Sequence, residues 1–227
     1  IAVTNVPGSK LTVLCDHHVL LNCGIERSVA STKSYVAQVM LLLDLLCPAR
    51  METVARGELG DHARRIAEIT HQPAYHAYVK RLSTEPTTFL LGNQVYFDAA
   101  KECCLKLKEI GYIHAEAFSL GALKHGPFAL IRQGTPCTVL CDSSSFAQAL
   151  ITVSEMKLRG AHTTMFYSGP PIPHPNNVDW FVQFPPASGL GCLLQVILYQ
   201  NVAHDISVAK NLDPDFPRNL AKVVTVE

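Results

Sequence analysis

The chain has 227 residues, 48% of them hydrophobic, and its 19 basic side chains balance 19 acidic ones. That length suits one large domain or one and a half smaller ones. Zero net charge gives no electrostatic case for a nucleic-acid or anionic-membrane partner, and the longest apolar run, Val39 to Cys47, is broken by Asp44 and too short to span a bilayer.

In chain order, Ile1 to Val6 alternates weakly and runs into Pro7-Gly8, which predicts a strand and a turn. The first residue is Ile and no signal-like segment opens the chain, so its start is expected to be a cut. Leu11 to Cys15 and Val19 to Asn22 are short apolar runs expected to form buried strand. Ser28 to Ser31 offer N-cap candidates for a helix over Thr32 to Leu46, closed by Pro48. Met51 to Leu82 has helical periodicity with many charges, among them Arg64, Arg65, Glu68 and Arg81. Pro73 divides it into two helices, and the stretch reads as a connector with solvated faces.

After Pro86 the pattern changes. Strands are predicted over Thr87 to Leu91, Thr135 to Cys141, His162 to Tyr167 and Val178 to Phe184. Helices are predicted over about Asp98 to Ile110, up to about Arg159, and over Gly191 to His204. Strands alternating with helices imply a parallel α/β sheet with ligands at the carboxyl ends of its strands. Pro170 to Pro175 reads as a loop.

The eight cysteines form no Cys-x-x-Cys pair, and Cys103-Cys104 sit side by side in a helical pattern. Reduced core cysteines of a cytoplasmic protein are expected. The ten histidines show no ligand spacing near a cysteine pair, so no metal site is expected. His17, His18, His62, His71 and His76 read as surface or helix-edge residues.

Chemistry concentrates in two places. The tail from Pro217 to Glu227 follows an Asp215-Phe216-Pro217 turn and carries Lys222 among small and β-branched residues. A lysine on such a tail can reach a carbonyl and form a Schiff base if burial or a nearby cation, here Lys106, eases loss of its proton. Upstream, Glu102, Lys106 and Glu109 fall within about 60° on a helical wheel. Lys101 and Lys108 lie on another stripe, and Ala99, Ala100, Cys103, Leu107 and Ile110 form the apolar face. Alone, Glu102 and Lys106 make an ordinary i,i+4 salt bridge. Facing a pocket, a carboxylate with a lysine beside it suits proton abstraction next to a carbonyl. His125, before Gly126-Pro127, sits at a chain reversal from which its ring could enter a cleft.

Three separated segments, GIERSVASTKSY, KLKEIGYIHAEAFSLGALKHGPFAL and FPRNLAKVVTVE, closely resemble the isomerase part of the glutamine–fructose-6-phosphate aminotransferases, which consists of two sugar isomerase (SIS) domains. The resemblance covers nearly the whole chain, more loosely over Met51 to Pro86. It implies an α/β parallel-sheet sandwich of the SIS, flavodoxin-like, type: one complete domain plus the end of a preceding one. Residues 1–50 would close the first SIS domain, 51–86 connect, 87–210 form the second, and 211–227 make a catalytic tail.

By the same resemblance, Lys222 would attack the open-chain sugar carbonyl and Glu109 would shuttle the proton between C1 and C2. Lys106 would steady the enediol charge, and His125 would open the sugar ring from a neighbouring subunit. Val29, Ala30 and Ser31 match a sugar-contacting segment. Glu26 matches a carboxylate close to the pocket, Ala221 lies at the pocket edge, and Glu102 joins the substrate-facing polar stripe.

The resemblance implies formation of glucosamine 6-phosphate from fructose 6-phosphate and glutamine-derived ammonia, with no metal or organic cofactor. It also implies a cytoplasmic homo-oligomer. A glutaminase domain and the Ser-Gln-Ser-Gly phosphate loop are absent from these 227 residues, so they are expected to be inactive alone. The alternatives are a sugar-amine deglycase and a non-catalytic sugar-phosphate-binding SIS regulator. Three departures stand out: Gly92-Asn93-Gln94 replaces Gly-Arg-Gly, Ala122 replaces a glutamate, and Arg27-Ser28 replaces Ile-Gly.

Overall fold

The computed structural model describes residues 1–48, 56–187 and 190–223. At the amino end, β1 (Ala2–Thr4) and β2 (His18–Leu20) pair in parallel around a one-turn helix, α1 (Lys10–Leu14). The apolar run over Leu11 to Cys15 is thus helix rather than buried strand. No residue of α1 is buried, so hydrophobicity alone misplaced it. Helix α2 (Lys33–Leu46) follows, and its Tyr35, Val36, Val39, Met40 and Leu43 lean on the main core.

Helices α3 (Arg56–Thr70) and α4 (Pro73–Thr84) meet at Pro73, which sits in the first turn of α4, where a missing N–H is harmless. Solvated faces exist on one side only. Ile66, Ile69, Tyr75, Tyr78, Val79 and Leu82 are buried against the sheet and the last helix, and His62, expected at a surface or helix edge, is buried too. Each fully buried large apolar side chain contributes about 1.5–3 kcal/mol. The Tyr78 hydroxyl lies 2.6 Å from that of Tyr199 and 2.7 Å from Thr138 Oγ1, joining helix, helix and strand inside the core.

The main sheet comprises β3 (Thr87–Gly92), β4 (His114–Ser119), β5 (Pro136–Asp142), β6 (His162–Ser168) and β7 (Trp180–Phe184). All pairings are parallel, in the order β4-β3-β5-β6-β7. Relative to the first strand this is the doubly wound 2-1-3-4-5 order of flavodoxin-like folds. Helices α5 (Val95–Glu109), α6 (Phe146–Lys157) and α7 (Gly191–Ala209) complete it. Alternate residues face opposite cores. Leu90, Leu140, Phe166 and Val182 point toward α5 and α7, whereas Phe89, Leu91, Val139 and Met165 point toward α6.

Strand β4 was not expected from the sequence. It lies at the sheet edge, with His114 and Glu116 exposed. Charged, half-solvated edges blunt unwanted pairing and carry little apolar signal. All eight cysteines are free. Among the described residues no helix is long and apolar enough to cross a membrane.

Candidate active site

Helix α5 runs back along the sheet from the end of β3. After Glu109 the chain turns through Gly111 and Tyr112, and β4 starts at His114, whose N–H donates to the Pro86 carbonyl at 3.0 Å. The last turn of α5 therefore lies at the amino ends of the strands. The sequence placed ligands at the carboxyl ends. The Glu102, Lys106 and Glu109 cluster sits at the opposite end, because it belongs to the carboxyl-terminal half of a helix returning from there.

Lys106 is buried, its side chain 3% exposed, and its Nζ donates to Glu109 Oε2 at 2.7 Å. Glu102 Oε1 is 3.4 Å away on the other side. A lone ammonium in such a place would be expensive, and two carboxylates offset its desolvation. The i,i+4 bridge exists, but Glu109 is the closer partner and the surroundings are not solvent. Burial pushes the Glu102 carboxyl above its ordinary value, Lys106 pulls it back only in part, and Glu109 adds to the rise. Tyr35 of α2 faces the same group: burial, then the Glu102 charge, pushes its phenol up to about 12.

The tail folds back onto the Glu26–Ser34 segment. Asp213 Oδ1 accepts the N–H groups of Asp215 and Phe216, making the turn, and the Asp215 carbonyl accepts the Val29 N–H at 3.0 Å. Ser28 Oγ donates to the Pro214 carbonyl at 3.3 Å. Lys222 Nζ then reaches Glu26 Oε2 at 3.0 Å and Ser31 Oγ at 3.5 Å. Glu26 also caps α2, accepting the Thr32 N–H, the Ser34 N–H and the Ser34 hydroxyl. Burial pushes its carboxyl up. The bonds from Ser34, Thr32 and Lys222 outweigh that and hold it down at about 2.

A groove of about 380 Å³ lies between the last turn of α5 and the tail, lined by Glu109, Tyr112, His114, Arg218, Asn219 and Leu220 among others. One chain thus brings together Glu26, Ser31 and Lys222, and separately Glu102, Lys106 and Glu109, with the tail running past Glu109. Val29 contributes its backbone, Ala30 is buried in the core beneath, and Ala221 is exposed beside Lys222.

His125 does not join them. It is exposed at the end of a 3-10 turn, Ala122–His125, whose Leu123 packs into the core on the α6 face. Lys124 pairs with Glu155 of α6 at 2.8 Å. His125 and Glu109 thus belong to opposite faces of the sheet. Lys106, expected to crowd Lys222 with like charge, is enclosed by its own carboxylates, and the partner of Lys222 is Glu26. Sequence reasoning missed Ser34, Tyr35, Tyr112 and Arg218. Only Ser34 carried a signal, being a hydroxyl residue in the first turn of a predicted helix.

Strand order, two-faced core and polar helix are those of the sugar isomerase (SIS) fold. The C-terminal domain of glucosamine-fructose-6-phosphate aminotransferase from Francisella tularensis shares it at TM-score 0.77 and 24% identity, over 93% of this chain and 63% of that one. No family model matches the chain. Whole-length sequence relatives narrow the class. Glutamine–fructose-6-phosphate aminotransferases (isomerizing) from Pyrobaculum aerophilum and Chlamydia muridarum are 37% and 32% identical to it over 100% of its length. The chain is similar to these aminotransferases over its whole length and spans 39% of the length of those relatives, which fits a C-terminal isomerase piece.

Proposed function

We propose that this chain is the synthase end of a hexosamine-forming aminotransferase, converting fructose 6-phosphate and glutamine-derived ammonia to glucosamine 6-phosphate. The observation that carries the reading is Lys222 reaching back across 196 residues to Glu26, on a tail that also borders Glu109. Residues 1–50 are read as the end of a first SIS domain, 51–86 as connector, 87–210 as the second domain and 211–227 as the catalytic tail.

In this scheme His125 of a neighbouring subunit opens the sugar ring. The Lys222 amine adds to the C2 carbonyl and water leaves, giving an imine. Ammonia then displaces the lysine. Glu109, the more exposed of the two carboxylates on Lys106, takes the C1 proton and returns it to C2. Lys106 steadies the charge that develops between them. Lys222 must first leave Glu26 and lose its proton. Glu26 keeps three other donors when the lysine goes, so no bare buried charge remains. Held at about 2, it is a weak base, and the proton passes to solvent or substrate.

A glutaminase domain elsewhere in the protein would supply ammonia, and the free cysteines suit a cytoplasmic setting. The test is borohydride trapping of the full-length protein with fructose 6-phosphate. Mass spectrometry should locate the reduced adduct on Lys222. An adduct on Lys106 would exchange the two lysines' roles. No adduct would favour a sugar-phosphate-binding SIS regulator. Release of ammonia from a sugar amine, without use of glutamine, would favour the deglycase.

A further inference from the structure

We propose that Tyr112 is a positioning residue that pins the Lys222-bearing tail to the last turn of α5 and so sets the span between Lys222 and Glu109. This rests on the catalytic reading of those two residues. Tyr112 follows Glu109 by three residues, and Arg218 precedes Lys222 by four. The Tyr112 hydroxyl accepts the Arg218 backbone N–H at 2.7 Å, and the Arg218 guanidinium lies over the Tyr112 ring at 4.4 Å from its centroid. Both residues line the groove that Glu109 faces.

The backbone marks Tyr112 independently. Its φ is 50°, in the left-handed region where an aromatic residue is strained by about 1–3 kcal/mol. The turn from α5 to β4 asks for Gly or Asn at that position. A tyrosine there needs a compensating contact, and the contact it makes is with the tail. Lys210 Nζ donates to the Gly111 carbonyl at 2.7 Å, so the turn is held from a second side and the ring has a fixed base. Because the hydroxyl grips the main chain of Arg218, it fixes the path of the tail rather than one side chain. Asn219, at φ 61°, then redirects the chain toward Lys222.

A purely structural tyrosine and a positioning one give opposite signs in one variant. Tyr112→Gly removes the strain and the clamp together. In the full-length enzyme its thermal midpoint should hold or rise, while borohydride trapping of fructose 6-phosphate on Lys222 slows about tenfold or more. The isosteric Tyr112→Phe keeps the ring and loses the acceptor. Trapping should slow by about threefold to tenfold, with kcat falling and KM for the sugar phosphate unchanged within about twofold. Wild-type trapping rates in both variants would overturn the clamp alone, as would losses that track lost thermal stability. A wild-type enzyme that gives no Lys222 adduct would overturn the catalytic reading and the clamp with it.

Discussion

Two carboxylates flank Lys106, and their surroundings separate their duties. Glu102 is the more buried and its carboxyl is pushed up, so it serves as the inner partner of the lysine. Glu109 opens onto the groove, where a substrate proton could be reached. Glu26 is a third case. Its carboxyl is held at about 2 against an ordinary 4.5. A depressed folded-state value stabilises the protein above the ordinary one, and that gain is lost as pH falls from about 4.5 toward about 2. Glu26→Gln should therefore unfold at lower urea than the wild type at pH 7, by about 1–2 kcal/mol. The gap should close as the pH approaches 2. A gap that persists unchanged to that pH would mean that the charge contributes nothing.

At the scale of elements, the entry to α5 holds a testable strain. Gln94 has φ 51° and ψ −126°, a conformation suited to glycine. Gln94→Gly should raise stability by about 1 kcal/mol, strain relief exceeding the added chain entropy. Gly92 is the contrary case: a Cβ there would collide with the Tyr96 carbonyl, so Gly92→Ala should destabilise. Calorimetry of both variants should show the midpoint moving in opposite directions. Elements buried on both faces were legible, because continuous apolar runs announced β3, β5 and β6 to within a residue at each end. Strand β4 and helix α1 were not, since one is a polar edge and the other an apolar run left at the surface. The Glu102–Lys106–Glu109 stripe was legible from helical period alone. The Tyr112–Arg218 contact was not, because no spacing rule joins residues 106 apart.

At the scale of the whole molecule, His125 stands apart from the lysine and carboxylates that it is proposed to serve. Its turn packs on the α6 face, while Glu109 sits on the helix of the other. If His125 acts across a symmetric interface, one subunit's histidine completes another's site. Mixing full-length His125→Ala with Lys222→Ala should then restore activity that neither has alone. Random reassortment of dimers gives about a quarter of the wild-type rate. No recovery after verified subunit exchange would place His125 in its own subunit's chemistry or outside it.

The Glu26–Lys222 contact also has a consequence in time. It joins segments 196 residues apart, whereas most of the sheet is assembled from neighbouring β–α–β units. A bond spanning so much chain repays its closure entropy only once the intervening sheet stands. Lys222 therefore reaches its place late in folding, after the barrier is crossed. Substitutions at the Glu26–Lys222 contact would act on the rate at which the protein comes apart and leave the rate at which it forms nearly untouched.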